Sequence, residues 1–356
     1  MKRLVLTLVL CLPVFAAPAI IRNAPAIAFD DDVHIVRTGD FNGDSHLDFA
    51  VRGLDGVHIV LGNGDGTFDA PIEIAIADGP TLEFADLDAD NDLDFVLTVG
   101  NAATSTFTPT HVYLNNGAAV FTAGTTIYSK SDVLRLADVT GDSKPDLITC
   151  GAYYPGLGDG TFGPVHQHEN CFIDSTYVFD ADADGDLDIL TANFSTLIGA
   201  TWPSKLWRND GAGTFASAEV PVKSRAVAIA DYDDNDLPDI AWLDKTGHRV
   251  VLFANAGGTY TEQTSDSGYA KVRDLTATDL NGDSRPDLIA AGDGLAHVWL
   301  TEPGGAMSAH TIFATGNETS AIATGDFDAD GNIDMLAVGR AGTITGTTTQ
   351  SLVSLL

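Results

Sequence analysis

Cations are scarce in this chain. Its 356 residues include 18 Lys+Arg against 50 Asp+Glu, a formal net charge of −32. Binding duplex DNA or an anionic bilayer needs a basic face, and there are too few cations to build a large one. Glutamate is scarcer still: only 7 of the acids are Glu and 43 are Asp. Helix surfaces favour Glu, whereas Asp favours turns and hard-cation loops. No stretch shows a sustained 3.6-residue apolar period of helical length. After the first residues, no run is long and apolar enough to span a bilayer. Hydrophobic residues are not lacking, at 44%, which excludes wholesale disorder. Glycine is plentiful at 36 residues, alongside 14 Pro, so many turns and short strands are expected.

The N-terminus reads as an address. Met1-Lys2-Arg3 is basic, Leu4 to Leu12 is apolar, Pro13 interrupts the run, and Val14-Phe15-Ala16 places small residues at −3 and −1. This predicts a secretory signal peptide over residues 1–16, with Ala19 as a second cleavage option, and a mature chain of residues 17–356 that is extracellular or periplasmic. The apolar run is about half the roughly 20 residues that a membrane anchor needs. Cysteine is nearly absent. If Cys11 leaves with the leader, Cys150 and Cys171 remain. An even pair in an exported protein predicts a disulfide, the alternative being two buried thiols.

One nine-residue pattern recurs: Asp, apolar, Asp/Asn/Thr, small, Asp/Asn, turn residue, any residue, apolar, Asp. The seven copies are DFNGDSHLD (40–48), DLDADNDLD (86–94), DVTGDSKPD (138–146), DADADGDLD (180–188), DYDDNDLPD (231–239), DLNGDSRPD (279–287) and DFDADGNID (326–334). Their starts are 46, 52, 42, 51, 48 and 47 residues apart. A short apolar strand precedes each copy and another follows it. A third strand, a Gly/Asn/Asp turn such as GDGTF (64–68 and 158–162), and a fourth strand come next. Four short antiparallel strands per period of 40 to 50 residues predict an all-β, seven-bladed β-propeller. Past its loop, the seventh repeat has room for second and third strands only, the third placed at Ser351–Leu356. The N-terminal segment Ile21–Phe29 is therefore expected to supply the fourth strand and close the ring.

Positions 1, 3, 5 and 9 of each copy carry oxygen side chains, spaced to converge on one point. They are Asp40, Asn42, Asp44 and Asp48; Asp86, Asp88, Asp90 and Asp94; Asp138, Thr140, Asp142 and Asp146; Asp180, Asp182, Asp184 and Asp188; Asp231, Asp233, Asn235 and Asp239; Asp279, Asn281, Asp283 and Asp287; and Asp326, Asp328, Asp330 and Asp334. Position 7 varies from His46 to Leu237 to Arg285, so a backbone carbonyl is the ligand expected there. An all-oxygen site of this size suits Ca²⁺ better than Mg²⁺, giving up to seven calcium ions. The loops are not EF-hands: position 12 holds Val51 or Ala337 instead of a bidentate Glu, and strands flank them.

The Asp loops and GDGTF turns resemble the FG-GAP/VCBS repeat family, similar to the N-terminal propeller of integrin α-subunits and to secreted propeller lectins. The resemblance implies calcium in the loop between the first two strands of each blade. It departs from the integrin pattern, in which only some blades carry the loop. Long links between second and third strands put Phe107, Phe194 and Trp202 on one rim, and blade three puts Tyr153 and Tyr154 near it, as candidate ligand-binding residues. The expected function is a secreted, monomeric, non-catalytic propeller that recognises a glycan or a surface protein in adhesion. One alternative is an extracellular enzyme of the polysaccharide lyase or dehydratase type, needing cations such as Arg37, Arg52, Arg135, Arg225, Arg273 and Arg340 to converge with a His in the channel. The other is a structural module of an envelope complex. His166-Gln-His168 has no third ligand in view, and no nucleophile motif is present.

Overall fold

The structure is a computed structural model that describes residues 4–9, 27–29, 33–77, 79–100, 108–129, 133–168, 175–193, 203–222, 224, 226–243, 249–257, 259–267, 272–308, 310–315 and 318–340. Every strand pairing in it is antiparallel. Six sheets are each built from four consecutive strands. In blade one these are Ile35–Gly39, Asp48–Arg52, Gly56–Val60 and Ile72–Ala75. Blades two to six begin at Leu82–Ala85, Leu134–Ala137, Ser175–Phe179, Val227–Ala230 and Asp274–Thr278. First strands of successive blades touch one another around a central axis. No helix among the described residues is long and apolar enough to cross a membrane.

The expectation of seven like blades closed by an N-terminal strand is corrected to six blades of four consecutive antiparallel strands. The Asp period counts loops, and a loop needs only the two strands that flank it. The seventh loop has those two, Glu318–Gly325 and Asp334–Arg340. Its other two partners come from the opposite end of the chain. Leu4–Val9 pairs with Asp334–Arg340, and Ile27–Phe29 pairs with Leu4–Val9. This composite sheet lies between blades six and one. Ser351–Leu356, expected as its third strand, falls outside the described residues. Leu4–Val9 falls within the expected signal peptide.

Packing follows from burial on both faces. The second strands of blades one, two and four are buried along their whole length. Strands covered on both sides read as continuous apolar runs. One apolar cluster fills each inter-sheet gap: Phe41, Ile59, Leu82 and Phe95 between blades one and two, and Val36, Val51, Phe327 and Leu336 between the composite sheet and blade one.

Hydrogen bonds reinforce these contacts on the face that carries the Asp loops. The turn between third and fourth strands reaches the position-2 carbonyl of the preceding sheet's loop. Ala119 N–H donates to Phe41 O (3.0 Å), Gly160 N–H to Leu87 O (2.9 Å) and Gly66 N–H to Phe327 O (3.2 Å). Asn209 and Asn255 do the same through Nδ2, to Val139 O and Ala181 O, both at 2.8 Å. Asn209 is buried, so its loss leaves a carbonyl without its donor. Asn209→Leu is expected to lower stability by about 1–3 kcal/mol, measured by denaturant unfolding. An unchanged midpoint would show that the clasp contributes nothing.

Candidate metal centres

Each Asp loop is a knot of backbone amides around carboxylates. Position 1 accepts the N–H groups of positions 5 and 6 in all seven copies, as in Asp86 with Asp90 (3.2 Å) and Asn91 (3.0 Å). The position-5 side chain accepts the N–H of position 7 in all seven. To make this wrap, positions 4 and 6 take positive φ throughout, from 56° at Ala329 to 94° at Gly185. That requirement suits the Gly and Asn found there, and Asp234 and Asp236 because Asp visits the left-handed region more readily than most residues; the Ala and Ser copies adopt it against their usual preference.

Position 9 anchors the knot. Asp48, Asp94, Asp146, Asp188, Asp239, Asp287 and Asp334 are each at most 1% exposed. Their Oδ2 atoms accept the N–H of position 2 at 2.8–3.0 Å. In the six blades, Oδ1 also accepts an N–H from the end of the third strand or just past it: Gly62, Asn115, Gly156, Asn209, Asn255 or Thr301, at 2.7–2.9 Å. One carboxylate thus ties its loop to the turn of its own blade. The sequence pattern marked position 9 as a ligand but gave no sign of this second role.

In four loops, carboxylate oxygens of positions 1, 3 and 9 lie within 4.8 Å of one another: Asp86, Asp88 and Asp94; Asp180, Asp182 and Asp188; Asp231, Asp233 and Asp239; and Asp326, Asp328 and Asp334. The other three loops have Asn42, Thr140 or Asn281 at position 3. The Oδ1 atoms of Asp88, Asp182 and Asp233 are shielded from solvent and accept no hydrogen bond. A buried, unpartnered carboxylate oxygen is costly unless a cation meets it. The donor set is all oxygen and multiply charged, so the loops fit a hard divalent cation.

Burial pushes Asp48, Asp94, Asp188, Asp239 and Asp287 up to about 6, with neighbouring carboxylates adding to the shift and the two N–H bonds opposing it. Asp146 moves in the same direction. Between about pH 4 and 6 the folded chain keeps protons that the unfolded chain has released. Stability therefore falls as pH rises through that window when no cation is present. In chelator, the melting temperature is expected to be higher at pH 4.5 than at pH 7. A profile that rises with pH would contradict the burial of these acids.

The candidate aromatic residues are dispersed where they can be seen. Tyr153 is 4% exposed, stacks on His166 at 5.0 Å and meets Phe215 edge-on at 6.0 Å, between blades three and four. Tyr154 packs on the blade-two side, its hydroxyl 3.5 Å from Tyr128 O. Phe107, Phe194 and Trp202 lie outside the described residues. His168 is taken up by Trp207 (4.6 Å) and Phe215 (5.2 Å). Cys150 is disulfide-bonded, while Cys171 lies outside the described residues. Sequence reading missed a cleft between the first and seventh loops, lined by Asp40, Ser45, His46, Leu47, Gly64, Asp326 and Ala329. It forms where the composite sheet meets blade one.

Among the arginines considered for a channel cluster, Arg52 is fully buried and donates to the carbonyls of Ala77, Gly79 and Thr98. Arg273 pairs at 3.8 Å with Asp293. Arg225 lies outside the described residues. Arg37 and Arg135 converge on Glu83, with the Tyr177 ring beside Arg135.

Residues 40–97 and 279–337 match the FG-GAP-like repeat family. No curated protein matches the chain significantly. Among solved structures, a lectin of Agrocybe aegerita, described as recognising non-reducing terminal N-acetylglucosamine, is 19% identical with a TM-score of 0.58, over 96% of each chain. The periplasmic gluconolactonase PpgL of Pseudomonas aeruginosa is 14% identical, with a TM-score of 0.53 over 82% of this chain and 86% of its own. Sqt1 of Saccharomyces cerevisiae is 10% identical, with a TM-score of 0.52 over 90% and 87%. At these identities the likeness is one of fold.

Proposed function

Because the chain is a β-propeller of FG-GAP-like repeats, we propose that it is a secreted, calcium-loaded recognition module for glycans. The observation that carries the metal reading is the carboxylate cluster at positions 1, 3 and 9, with its unpartnered Oδ1 at Asp88, Asp182 and Asp233. Positions 1, 3, 5 and 9 hold the ion with the position-7 carbonyl, and the ion neutralises carboxylates that otherwise repel one another. Its role is structural. Glycan recognition is supported by the lectin of like fold and by the cleft at the first and seventh loops, where Ser45 and His46 supply hydrogen-bonding groups. Secretion is supported by the N-terminal pattern and by a loop type that fills at extracellular calcium concentrations.

Calcium is expected to raise the melting temperature, each site adding about 1.4 kcal/mol when free calcium is tenfold above its Kd. Asp182→Asn should weaken one site and leave the others. No shift between calcium and EDTA would refute the metal reading. A glycan array in millimolar calcium, repeated with His46→Ala and Trp202→Ala, separates the cleft from the aromatic rim. Loss on His46→Ala supports the cleft, loss on Trp202→Ala moves the site to the rim, and no hit refutes glycan recognition. The intact mass of exported protein tests the leader. Retention of residues 1–16 would contradict cleavage and fit the place of Leu4–Val9 in the composite sheet.

A further inference from the structure

With the loops numbered along the chain, position 7 varies with position 3. Loops two, four, five and seven carry Asp at position 3 (Asp88, Asp182, Asp233 and Asp328), and their position-7 residues are Asp92, Asp186, Leu237 and Asn332. Loops one, three and six carry Asn42, Thr140 and Asn281 there, and their position-7 residues are His46, Lys144 and Arg285. Every loop that lacks the position-3 acid has His, Lys or Arg at position 7, and no loop that keeps the acid has one. The loop charges diverge accordingly. Loops two, four and five hold five acids each and loop seven holds four, whereas loops one, three and six hold three each. The carboxylate clusters of positions 1, 3 and 9 are those of the first set.

Loop six shows what the basic residue does. Arg285 Nη2 donates to Oδ2 of Asp283, the position-5 acid of its own loop, and Nε donates to Thr301 O at 3.0 Å. Oδ1 of the same carboxylate accepts the Arg285 N–H at 3.0 Å, so both of its oxygens are engaged. Thr301 is also the residue whose N–H meets the position-9 acid Asp287. One guanidinium therefore neutralises a ligand carboxylate from within the loop and braces the loop against the turn of its blade. The pair is mostly covered, with side chains 23% and 28% exposed, so water screens it only in part. In loop three, Lys144 Nζ lies 3.5 Å from Oδ2 of Asp142, again the position-5 acid. In loop one that acid is met by an amide, Asn42 Nδ2 donating to Asp44 Oδ2 at 2.9 Å. Arg208, on the third strand of blade four, comes within 3.7 Å of Asp182 Oδ2, but it stands outside the loop and leaves four other acids there.

We propose that loop six carries its own cation, the Arg285 guanidinium, and that positions 3 and 7 together sort the seven loops into two classes. Loops two, four, five and seven take calcium first, and loops one, three and six take it only at free calcium roughly tenfold higher or more, because affinity in such loops follows the count of ligand charges. The inference rests on the metal reading above and does not depend on the glycan reading. The test is native mass spectrometry of the full chain, which counts bound ions as free calcium is raised, with calorimetry for the affinities. Four ions should enter before the fifth. Leu237→Arg places a cation at position 7 of loop five and should cut the first group to three. Arg285→Gln removes the charge, keeps a donor for Thr301 O, and should tighten one weak site about tenfold while leaving the first four unchanged. The two variants act in opposite directions, so if one fails to fold the other still decides. Seven ions entering as one equal set would overturn the sorting and leave calcium binding in place. So would a first group of four in folded Leu237→Arg, or unchanged weak sites in folded Arg285→Gln. No bound ion at any calcium concentration would refute the metal reading and this inference with it.

Discussion

The structure turns on a buried carboxylate that serves two backbone amides at once. At position 9 of each loop, one oxygen takes the position-2 N–H, and in the six blades the other takes an N–H at the end of the third strand or just past it. The first bond fixes the loop, and the second fixes the outer turn relative to it. That turn then reaches the loop of the preceding sheet through bonds such as Ala119 to Phe41 and Asn209 to Val139. Loop conformation and ring packing are therefore parts of one hydrogen-bonded chain. Removing a position-9 acid leaves two buried amides without acceptors, which is costlier than the loss of one surface ligand.

This arrangement concentrates negative charge, and its electrostatics have a consequence for conditions as well as for ligands. Burial raises the position-9 acids, and positions 1, 3 and 5 crowd further oxygens against them. Protons or a hard cation relieve the same repulsion. The cluster at Arg37, Glu83 and Arg135 is the opposite case. There burial alone would raise the Glu83 carboxyl, but two arginines hold it below its usual range.

Much of this was legible in the sequence because it is written at fixed spacing. The seven loops, their oxygen positions and the flanking strands follow from residue types alone. Two things were not. The blade count failed because the last loop borrows strands from Leu4–Val9 and Ile27–Phe29, a pairing between chain ends that no local pattern records. The double role of position 9 was hidden because the sequence shows an acid and not which amides it meets. The cluster of Arg37, Glu83, Arg135 and Tyr177 lay in plain sight at a constant offset from the loops, yet only spatial closure places residues of different blades side by side. Tyr153 shows the reverse: an aromatic expected near a rim sits in the third strand of blade three, buried against His166 and Phe215.

The measurement closest to the central claim is amide hydrogen exchange with calcium present and then removed. The amides that matter are those of position 2 and those at the end of the third strand or just past it, such as Leu87 and Asn115, which share Asp94. If the buried carboxylate couples loop to turn, both amides of a repeat lose protection together when the cation is removed. Loss confined to the loop amides, with Asn115 and its counterparts still protected, would show that the turns hold themselves and would contradict the account.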